Sequence, residues 1–354
     1  MDIFSLVQLA LTNGASDLHI VAGSLPMMRV NGVLQPVGQI PSLMPADIDE
    51  ALQQIISDED RRKFEEHLEL DFSYSVPDVG RIRCNVSKQR GTTSLTIRLV
   101  PSVIPSLDEL GLPEVCKELV LKPRGLVIIS GPTGSGKSTT LSAMINYLNS
   151  TESRRVVTIE DPIEYVYSGD KCTITQRELG SDTRSFGGAL KHVLRQDPDV
   201  ILVGEMRDYE TAAAVLTVAE TGHLVLTTGH ATSAAQAVER IIDLFPSHER
   251  TLAQSSLASF LVAILCQTLV PKAEEAGRVA AVEIMLACPA VRNTIREGRI
   301  YQLPNAMTTQ ARLGMVLLDN ALVKLYKRGV ISYESMLAVC NDPEEIPKLI
   351  ARAS

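Results

Sequence analysis

The residues of plainest chemical promise are Gly131-Pro132-Thr133-Gly134-Ser135-Gly136-Lys137-Ser138. Glycines at 131, 134 and 136 let successive backbone N–H groups turn inward and form an anion nest. The apolar run Leu126-Val127-Ile128-Ile129 precedes them, and a helical pattern from Lys137 to Leu148 follows. A strand, a glycine-rich turn and a helix N-terminus in that order make a phosphate site. Lys137 can reach the β- and γ-phosphates and Ser138 can ligate Mg²⁺, so ATP with Mg²⁺ is the expected ligand.

Hydrolysis needs more: groups that orient water and neutralise developing charge. The next apolar run ends in Thr158-Ile159-Glu160-Asp161-Pro162-Ile163-Glu164. In an open α/β sheet, ligands gather at the carboxyl ends of strands. Carboxylates crowded there (Glu160, Asp161, Glu164) are costly unless a cation or water uses them. Val200-Ile201-Leu202-Val203 then leads into Gly204-Glu205, which places Glu205 beside the loop, where an acidic side chain holds Mg²⁺ through water. Asp is the usual residue at the end of such a strand. Finally, His223 and His230 bracket the run Leu224-Val225-Leu226. His230 stands at the carboxyl end, where a γ-phosphate sensor would sit; His223 stands at the opposite end.

The elements behind these residues follow from periodicity. The runs at 126–129, 156–159, 200–203 and 224–226 are continuous apolar stretches, as strands buried on both faces are. Their alternation with helical sequence predicts an α/β fold with a mostly parallel sheet. Residues 1–100 read as a smaller α/β unit. It has a helix stopped by Asn13-Gly14, a strand over 17–21, and a hairpin turning at Asn31-Gly32. Helices over 47–56 and 58–67 and strands over 70–76, 81–87 and 94–100 complete it. Pro101, Pro105, Gly111 and Pro113 mark a linker or hinge at 101–115. The ATPase core is expected over 116–270, with a mainly helical part over 271–354.

Composition narrows the function. The 354 residues carry a net charge of −8, against the basic footprint that a duplex-binding surface needs. The six cysteines include no Cys-x-x-Cys pair, so reduced thiols and no zinc site are expected. Met1-Asp2-Ile3-Phe4 has no basic n-region of a signal peptide. The longest apolar stretch, Phe260 to Cys266 with its flanks, falls short of the ~20 residues of a membrane span. A cytoplasmic protein with only peripheral membrane contact is the expectation.

In order along the chain, Gly131–Ser138, Thr158–Glu164, the stretch Leu194 to Asp208 and the segment His223 to His230 resemble the Walker A, Asp box, Walker B and His box of the type II secretion and type IV pilus ATPases. Walker B in that superfamily carries Gly-Glu, as at 204–205. Within it the chain is most similar to the PilT-type pilus retraction ATPases, from Gly14-Ala15-Ser16-Asp17-Leu18-His19 to the C-terminal helices. Ala290-Val291-Arg292-Asn293-Thr294-Ile295-Arg296-Glu297 also resembles their C-terminal helix motif.

The resemblance implies a RecA-like core behind a PAS-like N-terminal domain. It implies a homohexameric ring on the cytoplasmic side of the membrane, driving pilus retraction through a membrane platform protein. It makes Glu164 the carboxylate that activates water, Glu205 and Ser138 the Mg²⁺ residues, Lys137 and Thr139 phosphate ligands, and His223 and His230 nucleotide sensors. Arginines acting in trans would come from the N-terminal strands, with Arg81, Arg83 and Arg98 the candidates. Gly229 and Ala231 depart from the family, which carries a larger apolar residue and Thr there; both changes are expected to loosen the turn around His230. Two other readings are a regulatory paralogue with little hydrolysis and a RecA-like nucleic-acid translocase, the latter disfavoured by the charge.

Overall fold

Thirteen strands of a computed structural model, which describes residues 1–77, 80–101, 103–274 and 277–352, form two sheets. The first contains β1 (Ala15–Val21), β2 (Met27–Val30), β3 (Val33–Pro36), β4 (Glu69–Val76), β5 (Gly80–Gln89) and β6 (Thr92–Leu99), in the order β3-β2-β1-β6-β5-β4. Every pairing is antiparallel. Burial alternates along β5 and β6, so Ile82, Cys84, Val86, Leu95 and Ile97 face one core. Helices Ile3–Thr12, Pro45–Gln53 and Asp58–His67 contribute Ile3, Leu6, Val7, Ile48, Leu52 and Phe64 to that core.

The second sheet contains β7 (Gly125–Ser130), β8 (Arg155–Glu160), β9 (Thr173–Glu178), β10 (Val200–Val203), β11 (Leu224–Thr228), β12 (Leu261–Pro271) and β13 (Arg278–Leu286). Its order is β13-β12-β7-β11-β10-β8-β9, parallel throughout except for the β12–β13 hairpin. Residues of β7, β10 and β11 are all buried, which is why these strands lack alternation. Helix Lys137–Thr151 packs on one face through Leu141, Met144, Ile145 and Leu148. Helices Phe186–Val193, Tyr209–Glu220 and Ala234–Asp243 cover the other.

Three strands differ from the sequence expectation. β13 lies in the stretch expected to be mainly helical. The apolar run beginning at Phe260 is largely β12, a strand beside the central β7. β9 was not anticipated, because Thr173–Glu178 is an edge strand rich in polar residues.

By proximity the chain divides into Met1–Val103 with Glu164–Val166, and Ile104–Ile163 with Tyr167–Ser354. Part of the segment expected as linker packs in the second unit, where Leu107 is buried beside Leu119 and Leu148. Ser102, also in that segment, lies outside the described residues. Beyond β13, helix Pro289–Arg296 buries Val291 and Ile295. Its Arg292 donates to the carbonyls of Ala258 (2.6 Å), Ser259 (2.6 Å), Leu261 (2.9 Å) and Ala287 (2.9 Å). Among the described residues, no helix is long and apolar enough to cross a membrane.

Candidate active site

The phosphate loop leaves the end of β7 and enters helix Lys137–Thr151 through Gly136, whose φ of 88° only glycine adopts without strain. Gly131 is required for a second reason. A Cβ there would lie 2.3 Å from the carbonyl oxygen of Gln267 on β12. Lys137 is 9% exposed, and its Nζ donates to Gly131 O (2.8 Å) and Pro132 O (3.0 Å). The lysine is therefore held over its own loop. Ser138 and Thr139 follow it in the first helical turn. Loop, lysine and helix N-terminus together fit a nucleotide's phosphates.

One strand away from β7 the chain places the His230 turn, and one further the Glu205 turn. Parallel pairing of β7, β11 and β10 sets all three at the same edge of the sheet. Glu205 is 8% exposed, with His230 Nε2 2.9 Å from Oε2 and the Arg207 guanidinium against Oε1. A carboxylate so shielded needs partners, and it has a guanidinium on one oxygen and an imidazole nitrogen on the other. Thr228 Oγ1 donates to Gly204 O, tying the two turns together.

The expected loosening around His230 is not what the structure shows. Gly229 N donates to Ile129 O (3.0 Å), and Ser130 Oγ donates to Ala231 O (2.7 Å). Ala231 is buried, and a Cβ at position 229 would already lie 3.1 Å from Ser130 Oγ. The small residues allow a close approach to β7 that holds the turn.

Glu160 and Asp161, at the end of β8, take separate partners. Glu160 Oε1 accepts from Thr158 Oγ1 (2.6 Å) and Gln176 Nε2 (3.2 Å). Asp161, before a cis bond to Pro162, lies 4.0 Å from Arg207. Glu164 is exposed and groups with the N-terminal unit. Nor is His223 brought to Glu205. It sits at the start of β11, its Nδ1 3.0 Å from Thr221 Oγ1 and 3.3 Å from Val218 O, closing the end of helix Tyr209–Glu220. A sensor beside Glu205 is thus His230 alone of the two.

In the N-terminal unit, Arg81, Arg83 and Arg98 share the sheet face opposite the core. Arg83 pairs directly across from Arg98. Like charges so placed repel. Asp17 offsets part of this, accepting from Arg98 Nε at 3.0 Å. Burial pushes the Asp17 carboxyl up, but hydrogen bonds from Ser16 and Arg98 outweigh it and hold it below the usual range.

Sequence reasoning missed four residues. Arg207 was readable only as part of a motif. Glu178, 4% exposed on β9, accepts from Ile163 N at 2.9 Å and fixes the loop before Glu164. Gln267 reaches the phosphate loop from β12. Glu283, on β13, accepts from Ala234 N (2.7 Å) and Leu318 N (3.2 Å), capping two helices at once. The last three act on segments distant in sequence, which no local pattern displays.

Comparison with known proteins decides the family. Residues 2–329 match the model described as Type II/IV secretion system protein. The chain is 46% identical to the type IV pilus retraction ATPase PilT of Pseudomonas aeruginosa, covering 97% of this chain and 99% of that protein. The chain belongs to this family. It is also 42% identical to the type IV pilus ATPase PilU of the same organism, over 100% of this chain and 92% of that one. A crystal structure of the pilus retraction motor PilT with bound ADP superposes with a TM-score of 0.91 at 41% identity, covering 98% of this chain and 99% of that one. As a member of the type II/IV secretion family the chain is an ATPase, and its α/β core is the family's nucleotide-binding fold.

Proposed function

We propose that this chain is a homohexameric motor that hydrolyses ATP to power type IV pilus retraction, acting on a platform protein from the cytoplasmic face of the membrane. The observation that carries the reading is the junction of Lys137, the glycine nest, and a buried Glu205 gripped by His230 and Arg207. It supplies both phosphate binding and a charge that responds to what lies beside it.

Lys137 and the N–H groups at 133–138 hold the β- and γ-phosphates. Ser138 and Glu205 would hold Mg²⁺, which would neutralise charge on the phosphates. Among the described residues no cluster of three or more His, Cys, Asp or Glu is poised to bind a metal. Glu164 accepts the proton of the water that attacks the γ-phosphorus, and ADP leaves. His230, bonded to Glu205, registers the γ-phosphate. In a ring, the Arg81, Arg83 and Arg98 face of one subunit serves the nucleotide of the next. An arginine supplied that way contributes ~10³–10⁵ in rate. The proline-rich segment 101–115 would serve as the hinge between units.

Deleting the gene in the native host tests retraction: surface pili should accumulate and twitching should stop. Loss of pili would sink the assignment. A second reading is an accessory or regulatory pilus-motor paralogue with weak turnover; the chain is also similar over its full length to a second pilus ATPase, PilU. Steady-state ATPase activity of the isolated protein separates the two, since an accessory subunit should turn over little without its partner.

A further inference from the structure

We infer that Gln267 is a positioning residue of the phosphate loop, aiming one of its N–H groups at bound phosphate. The inference rests on the reading that nucleotide binds at 131–138.

Gln267 is 4% exposed and stands on β12, next to the strand that feeds the loop. Its Nε2 donates to Ser135 O at 2.8 Å, and its Oε1 accepts from Thr140 Oγ1 at 2.8 Å. A carbonyl can only accept, so the amide nitrogen must face Ser135, and the Thr140 hydroxyl then donates to the amide oxygen. One side chain thus ties the middle of the loop to the first turn of helix Lys137–Thr151. The same residue walls the loop on both sides of Ser135. A Cβ on Gly131 would meet its carbonyl oxygen, and a Cβ on Gly136 would lie 2.9 Å from its Nε2.

The consequence follows from peptide geometry. In a trans peptide the C=O of one residue and the N–H of the next point in opposite directions. Fixing Ser135 O toward Gln267 therefore turns Gly136 N–H away from β12 and into the nest. Only a primary amide does this here. Glu offers no donor to Ser135 O, and Met offers neither a donor nor a strong acceptor. A loop freed from Gln267 would lose order before the nucleotide arrives, so binding weakens for ADP and ATP alike. The chemical step at saturation changes little, because the interaction is the same in ground and transition states.

The test uses the full chain with a fluorescent ADP analogue, alongside steady-state kinetics and thermal melts. Gln267→Met should bind the analogue about tenfold more weakly, beyond what any fall in its melting temperature accounts for. Its KM for ATP should rise by the same factor, with kcat within about twofold. Thr140→Val, which removes one bond and leaves Gln267 in place, should weaken binding about threefold; it decides the matter if Gln267→Met does not fold. Wild-type affinity in the folded variants overturns the inference, as does an affinity that falls only in step with melting temperature. Lys137→Ala is the separate control. If it keeps wild-type affinity, nucleotide does not bind at this loop and the underlying reading fails on its own account.

Discussion

His230 Nε2 lies 2.9 Å from Glu205 Oε2, joining the turns that end two neighbouring parallel strands. The carboxylate accepts, so the imidazole presents its Nε2–H to Glu205 and is oriented by it. Replacing Glu205 with Gln keeps the shape and removes the charge. Turnover should fall on the order of 10²–10³ while ADP still binds. A Mg²⁺ titration of steady-state ATPase activity checks this; unchanged kcat would remove Glu205 from the site.

Glu164 and Lys137 should separate chemistry from binding. Glu164→Gln is expected to lower kcat by about 10²–10⁴ with ATP affinity kept. Lys137→Ala should lose both. Full activity in a purified Glu164→Gln protein would show that another group handles the water.

The loop glycines should differ among themselves. Gly131→Ala drives a Cβ to 2.3 Å from a backbone oxygen, so the loop must move; about 1–3 kcal/mol of stability and most nucleotide affinity should go. Gly134→Ala meets nothing within 4 Å, and only its φ of 77° penalises a side chain, by roughly 1–2 kcal/mol. Melting curves with and without ADP rank the two. Equal losses in affinity would mean that the β12 contact does not shape the loop.

Glu283 should make stability depend on pH. Burial raises its carboxyl above the ordinary 4.5, although the N–H groups of Ala234 and Leu318 pull it down. With the folded value above the unfolded one, the folded chain holds the extra proton between the two. Stability contributed there is lost as pH rises through that window. Urea unfolding of wild type and Glu283→Gln across this range should diverge, the wild type losing ground with rising pH. Parallel curves would show that the carboxylate titrates as it does when unfolded.

What the sequence made legible was what local pattern encodes. Gly131–Ser138 announces its turn through glycine spacing, and Val200–Val203 its burial through an unbroken apolar run. Gln267 and Glu283 were invisible because each is a polar residue within a strand and its hydrogen-bond partners lie more than thirty residues away in sequence. β13 was obscured because its register is set by pairing with β12 and not by alternation. Gly229 misled for a related reason: its space is defined by Ser130, on another strand.

Arg292 gathers four carbonyls around one guanidinium, and burial lowers its pKa below the usual arginine range. Those carbonyls include two in the last turn of helix Arg250–Phe260 and the first of β12. A lysine could not span them, since it lacks the planar fork. The helix motif it belongs to therefore has an inward and an outward vocabulary. A motility defect in an Arg292 variant would report a disordered junction between helix and sheet. Recognition of a partner by this motif would have to be spelled by its exposed polar residues, Asn293, Arg296 and Glu297.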